Sequence, residues 1–286
     1  MTAIWRFWFS LAGLYALWCL LLFLFQRAML FPSAMAPVSA DPRPPDGFRV
    51  LHFATPAGRL EGWYHPPPDS APGRPGPVMI FTHGNAETID TATADMAAVT
   101  ALGWGLLALE YPGYGRSAGR ASRAAIHAAM PAVYDQIAAR PEIDAGRIAA
   151  CGRSLGGAAA CLLADERPLA ALILISTFAR VHDFSRRYLV PSWLVRDPFD
   201  NLSILGRITV PVMIVHGTRD ATIPVSHARR LHHAAPGSRL VLYPCDHNDC
   251  PPDEDRFWDD VDGFLRDCTR PRRHSAPEQP ARCPGS

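Results

Sequence analysis

Gly152-Arg153-Ser154-Leu155-Gly156 lies where an apolar strand, residues 147–151, gives way to a helix rich in small residues, 157–165. A serine at the tip of so sharp a strand-to-helix turn is held in a strained backbone conformation, and glycine two positions before and after it avoids a clash. Ser154 is therefore the candidate nucleophile. A pentapeptide of this form arises by chance in roughly one chain in ten of this length. Its meaning rests on whether a base, an acid and an oxyanion hole stand elsewhere in the right order.

Short continuous apolar runs mark strands buried on both faces of a parallel sheet. Four are plain, at residues 78–81, 105–109, 172–175 and 212–215, and 147–151 and 240–243 add two more. Helical segments alternate with them at 90–102, 123–139 and 155–165, with 227–234 and 256–267 near the end. A hairpin at 48–53 and 60–64, joined by Thr55-Pro56-Ala57-Gly58, and a Pro-rich stretch at 66–77 precede the first central strand. The β-α-β-α-β order predicts an α/β fold with a doubly wound, mostly parallel sheet whose strand carboxyl ends carry the site.

The loops at those ends supply the missing partners. In Thr82-His83-Gly84-Asn85-Ala86 a glycine lets the backbone turn, and the amide of Asn85 with that of Leu155 would form a two-donor oxyanion hole. Asp220, in His216-Gly217-Thr218-Arg219-Asp220, is the candidate acid that would hold the base in one tautomer. His247, after Pro244-Cys245-Asp246, is the candidate general base. Among the other histidines, His227, His232 and His233 fall on a predicted surface helix, while His83 and His216 precede loop glycines and read as structural.

Composition narrows the chemistry. The 286 residues suffice for one α/β domain, and 28 basic against 27 acidic residues leave no charge to attract nucleic acid. Every basic residue is arginine, so Schiff-base, Ser-Lys and P-loop lysine mechanisms are excluded. Of the seven cysteines, Cys151 and Cys161 read as small buried apolar residues. Cys245 and Cys250 bracket His247 without a second ligand pair, so no metal site is expected; they read as free thiols by default, or as a local disulfide in an extracytoplasmic domain.

Residues 7–25 carry no charge and lie between Arg6 and Gln26-Arg27. As a helix they would span about 28 Å, close to the bilayer core. Trp5 and Trp8 suit an interface, whereas Trp18 lies too deep for that role. Ala34-Met35-Ala36 resembles a signal-peptidase site, but the apolar run exceeds that of a signal peptide and Pro37 would follow the cut, which favours an uncleaved single-pass anchor. Arginines on both flanks leave orientation undecided by charge, and the short amino-terminal tail points to an exported domain. The reading divides the chain into an anchor at 1–30, a Pro/Ala-rich linker at 31–47, a catalytic domain at 48–268 and a disordered tail at 269–286.

His83-Gly84-Asn85-Ala86, Tyr111-Pro112-Gly113-Tyr114-Gly115-Arg116-Ser117, Gly152-Arg153-Ser154-Leu155-Gly156-Gly157, His216-Gly217-Thr218-Arg219-Asp220 and His247 together resemble the α/β-hydrolase superfamily over nearly all of residues 48–268. The chain looks most like membrane-anchored serine hydrolases with a minimal cap, a group that includes eukaryotic protein depalmitoylases. The resemblance implies Ser154, Asp220 and His247 as a triad, Asn85 and Leu155 as the oxyanion hole, and no metal or organic cofactor. Residues 178–205 would be the cap, with Phe184, Tyr188, Leu189, Trp193, Leu194 and Phe199 either lining an apolar acyl pocket or packing on the sheet as a second small core. The expected activity is cleavage of a carboxylic ester or thioester, with a lipid or lipidated protein as substrate because the anchor keeps the site near a bilayer. A serine peptidase or amidase, or an inactive hydrolase-fold scaffold, are the alternatives.

Overall fold

A computed structural model describes residues 3–36 and 38–269. The chain begins with a 28-residue helix, α1 (Ala3–Leu30), that is long and apolar enough to cross a membrane. An antiparallel pair follows, β1 (Arg49–Thr55) and β2 (Gly58–His65), turning tightly at Thr55↔Gly58. The alternating part runs β3 (Gly76–Thr82), α2 (Ile89–Met96), β4 (Gly105–Leu109), α3 (Arg123–Ala138), β5 (Ile143–Arg153), α4 (Leu155–Glu166) and β6 (Ala171–Ile175). The short α5 (His182–Arg187) and α6 (Asn201–Leu205) fall within residues 178–205, the expected cap, and β7 (Val212–Gly217), α7 (Ser226–Ala234), β8 (Arg239–Tyr243) and α8 (Glu254–Thr269) follow.

The eight strands form one sheet in the order β1-β2-β4-β3-β5-β6-β7-β8. β1, β2 and β4 pair antiparallel, and from β4 onward every pair is parallel. Register aligns Leu107, Ile80, Ala150, Leu172 and Val212 across the centre, so the apolar runs sit side by side. Both faces of these strands are covered by helices, which is why the runs are continuous rather than alternating. The loops after β3, β5, β7 and β8 therefore emerge at one edge.

Several elements differ in extent from the sequence reading. The helix expected over 90–102 is α-helical only to Met96 and continues as a 3-10 turn, Ala97–Leu102, which ends on Gly103 in the left-handed region. β5 starts at Ile143, before the apolar run, because Gly76 pairs with Ile143 ahead of a register shift. The segment read as a linker has no helix or strand at residues 38–47, yet it lies on the domain: Phe31 is buried edge-to-face against Phe199, and the Ser39 amide donates to Asp90. Thr269, assigned to the tail, closes α8; the rest of that segment lies outside the described residues.

Candidate active site

Ser154 stands between β5 and α4 with φ 53° and ψ −114°. Its amide donates to the Ile175 carbonyl at 2.8 Å, a last rung toward β6, and its own carbonyl accepts from Thr177 Oγ1 at 2.7 Å. The two flanking glycines are required by close approach rather than by their own dihedrals. A Cβ on Gly152 would collide with the Gly156 carbonyl, and one on Gly156 with the Thr82 carbonyl of β3. The tight turn thus projects the Ser154 side chain at the strand ends, free of α4.

His247 and Asp220 arrive there from the loops after β8 and β7. Nδ1 of His247 lies 2.7 Å from Asp220 Oδ2, and its Nε2 lies 3.2 Å from Ser154 Oγ. A carboxylate can only accept, so the proton sits on Nδ1 and the Nε2 lone pair faces the serine hydroxyl. Asp220 is itself fixed, because its Oδ1 accepts from the Ile223 amide at 2.7 Å. Burial pushes its carboxyl up, but the hydrogen bonds from His247 and Ile223 outweigh this and hold it below the usual carboxylate range. His216, read as structural, donates from Nε2 to the Ile223 carbonyl at 2.7 Å and so clamps the turn that carries Asp220.

Asn85 and Leu155, the first residue of α4, both line the cavity over Ser154. Their loop is pinned from beneath by residues that the sequence reading did not assign. Tyr111 donates to the His83 carbonyl at 2.5 Å, Tyr114 to the Asn85 carbonyl at 2.8 Å, and the Gly84 amide donates to Glu87 at 2.7 Å. The Tyr111 to Ser117 motif was visible in the sequence, but its target was not. Arg153, the variable position of the elbow, pairs with Glu87 at 2.9 Å and donates to the Asn248 carbonyl at 3.2 Å. It ties the Asn85 loop to the His247 loop.

Cys245 and Cys250 form a disulfide across the His247 loop, the second of the two readings left open for them. Among the described residues no cluster of histidine, cysteine and acidic side chains could hold a metal ion. His227, placed on a surface helix from sequence, is instead buried: it stacks on Phe184 and accepts from the Ala179 amide at 3.0 Å. The reason is that α7 packs inward through His227, Ala228 and Leu231.

A cavity of about 430 Å³ opens above Ser154. Phe184, Tyr188 and Leu194 of the expected cap line it, whereas Phe199 is buried beneath and Leu189 and Trp193 point to the exterior. The two readings of the cap each hold for part of it. The opposite wall was not foreseen: it is α1, through Leu22, Phe23, Met29 and Leu30.

The sequence profile described as serine aminopeptidase S33 matches residues 73–204, and that described as TAP-like protein matches 192–277. An uncharacterized protein of Mycobacterium tuberculosis strain H37Rv is 32% identical over 229 residues, covering 78% of this chain and 80% of its own length. The chain belongs to the α/β-hydrolase superfamily. Another relative of this α/β hydrolase, the alpha/beta hydrolase domain-containing protein WAV2 of Arabidopsis thaliana, is 29% identical over 61% of this chain and 62% of its own. Among solved structures, the Pyrococcus furiosus esterase Pf2001 superposes with a TM-score of 0.65 at 16% identity, over 81% of this chain and 97% of that one. A puromycin-hydrolyzing peptidase of Mycobacterium tuberculosis superposes at 0.64 with 18% identity, over 77% and 40%. These structural likenesses speak to the fold.

Proposed function

We propose that this α/β hydrolase is a membrane-anchored serine esterase or thioesterase that works through an acyl-enzyme on Ser154. The observation that carries the reading is the Ser154-His247-Asp220 relay opening into a cavity with mainly apolar walls. In the first step His247 Nε2 takes the hydroxyl proton as Ser154 Oγ bonds to the acyl carbon, and Asp220 stabilises the imidazolium. The amides of Asn85 and Leu155 receive the oxyanion, each such donor contributing about 2.7–4 kcal/mol to the transition state. Collapse breaks the bond to the leaving oxygen or sulfur, to which His247 returns the proton. Water then enters, gives a proton to His247 and attacks the acyl carbon; Ser154 leaves and is reprotonated.

The apolar helix α1 supports the anchor, and its contact with the cavity supports a lipid or acylated protein as substrate. The S33 profile and the peptidase among the structural neighbours support a second reading, an amidase or aminopeptidase. An aminopeptidase needs a free acidic group for the substrate ammonium. Asp197, the acidic residue on the cavity lining among the described residues, is instead paired with Arg27 at 2.8 Å and accepts from the Arg123 amide. The ester reading is the better supported on this ground.

The test is labelling by a fluorophosphonate together with turnover of a short p-nitrophenyl ester. Native protein should label and turn over, and Ser154→Ala should do neither while keeping its circular dichroism. Undiminished turnover in Ser154→Ala would sink the assignment, and folded native protein inert to the probe would favour the scaffold reading.

A further inference from the structure

A helix apolar enough to cross a membrane forms one wall of the cavity, and the cap lies along that helix. Gln26 Nε2 donates to the Leu194 carbonyl at 3.0 Å, Trp18 Nε1 to that of Tyr188 at 2.9 Å, and the Tyr15 hydroxyl to that of Leu189 at 3.0 Å. At the base, Arg27 pairs with the buried Asp197, and Arg196 lies over the Phe23 ring. These contacts, from Tyr15 to Arg27, climb about 18 Å of helix axis.

That reach sets the cap's depth. Residues 7–25 of α1 carry no charge and span about 28 Å, close to a hydrocarbon core of about 30 Å. Tyr15 and Trp18 lie in the middle of that run, so the part of α1 that crosses the bilayer includes the turns that carry them. The cap tip, residues 188–194, leans on this very stretch.

The tip has the surface and the backbone for such a position. Leu189 and Trp193 are 74% and 79% exposed, and Tyr188 is 40% exposed. Irregular backbone at membrane depth needs its polar groups satisfied by protein. The amides of Leu189, Val190, Leu194 and Val195 bond within the cap, and the carbonyls of Tyr188 and Leu189 receive Trp18 and Tyr15. This pairing also accounts for a tryptophan and a tyrosine in mid-helix, whose polar atoms would otherwise be stranded in lipid. Arg186 and Arg187, exposed just before the tip, have side chains long enough to reach headgroup phosphates.

We infer that the cap tip enters the membrane leaflet that surrounds the Tyr15–Phe23 part of α1, and that the Ser154 cavity is filled sideways from that leaflet by the acyl chain of a membrane-embedded lipid ester. The chain enters beside Leu22 and Phe23 of α1 and Tyr188 of the tip, all on the cavity lining, from one apolar medium into another, so its methylenes never meet water. This rests on reading Ser154 as the nucleophile and α1 as the anchor.

The full chain is reconstituted in dioleoylphosphatidylcholine vesicles carrying a long-chain 4-methylumbelliferyl ester, with p-nitrophenyl butyrate as the water-soluble substrate. Leu189→Glu and Trp193→Glu change side chains outside the cavity. They should slow the embedded ester roughly tenfold or more, since a carboxylate resists hydrocarbon, and leave butyrate turnover within about twofold. In the native protein, lipids brominated on their chains should quench Trp193, measured as the quenching lost in Trp193→Phe. Unquenched Trp193 overturns tip insertion whatever the activities are. Quenched Trp193 with embedded-ester turnover unchanged in both glutamate variants overturns the sideways port while the serine esterase reading stands. Native protein that cleaves neither ester overturns the esterase reading and the port with it.

Discussion

His83 and Glu110 form an ion pair beneath the Asn85 loop, 2.6 Å apart and with both side chains 1% exposed. The other ring nitrogen of His83 faces the Gly84 carbonyl at 2.8 Å, so both nitrogens meet acceptors and the ring is held as an imidazolium. Burial pushes the His83 pKa down, but the charge and hydrogen bond of Glu110 outweigh it and the net direction is up. Glu110 also accepts from the Ile89 amide at the start of α2. A buried pair of this kind offers little net stability, so its contribution here is geometric: it fixes the strand end from which Asn85 projects.

Glu110→Gln leaves the His83 charge buried without its partner. The expected loss is about 3–5 kcal/mol of stability, read by urea denaturation. Ester turnover should fall by up to about 10²-fold, mainly in kcat, the scale of one displaced oxyanion donor. The sign of the pH dependence follows from the raised folded-state pKa of His83. Its contribution is complete below the ordinary value of 6.5 and is lost as pH rises through the folded value. Native protein should weaken on the alkaline side, and the variant should lack that part of the slope.

Asp220→Asn keeps the shape of the relay but can present an amide hydrogen to His247, favouring the wrong tautomer. Turnover should drop by about 10⁴-fold with little change in KM. Because the Asp220 carboxyl lies below its ordinary value of 3.8, the stability it contributes is intact above that pH and is lost on further acidification. Acid unfolding of the native chain should therefore include a step that the variant does not show, measured by fluorescence across pH.

Arg153→Ala cuts the link between Glu87 and the Asn248 carbonyl. The arginine side chain is 18% exposed, and an ion pair open to solvent in this way contributes no more than about 1 kcal/mol to stability. Turnover should fall by roughly tenfold through loosened positioning of two loops, with the melting temperature moved by only a few degrees. Arg153→Lys, which keeps the charge but not the fork, should recover the stability and only part of the rate.

Cys245 and Cys250 close a loop of sequence separation 5 around His247. The Arg219 amide donates to the Cys245 carbonyl at 3.0 Å, and a Cβ on Gly217 would collide with that same carbonyl, so the loops that carry Asp220 and His247 are in direct contact. Replacing both cysteines by serine should cost about 2 kcal/mol of stability. It should lower kcat more than it changes KM, since the base rather than the cavity is released. Steady-state kinetics with and without dithiothreitol on the native protein provide the matching control.

The strands, the elbow and the loops that bring Ser154, Asp220 and His247 together were legible because each is written in a few consecutive residues. An apolar run of five, a glycine beside a serine, or a histidine just past a strand has its structural meaning set by near neighbours and by the parallel sheet they imply. Other features depend on residues distant in the chain meeting in space. His83 finds Glu110, Arg153 bridges Glu87 and Asn248, Cys245 closes on Cys250, and the exposed histidine of a helical pattern becomes the buried His227. Nothing local to residues 22–30 announces that an apolar helix also walls the cavity over Ser154. An apolar side chain reads the same in sequence whether lipid, cap or substrate covers it, and only packing chooses among them.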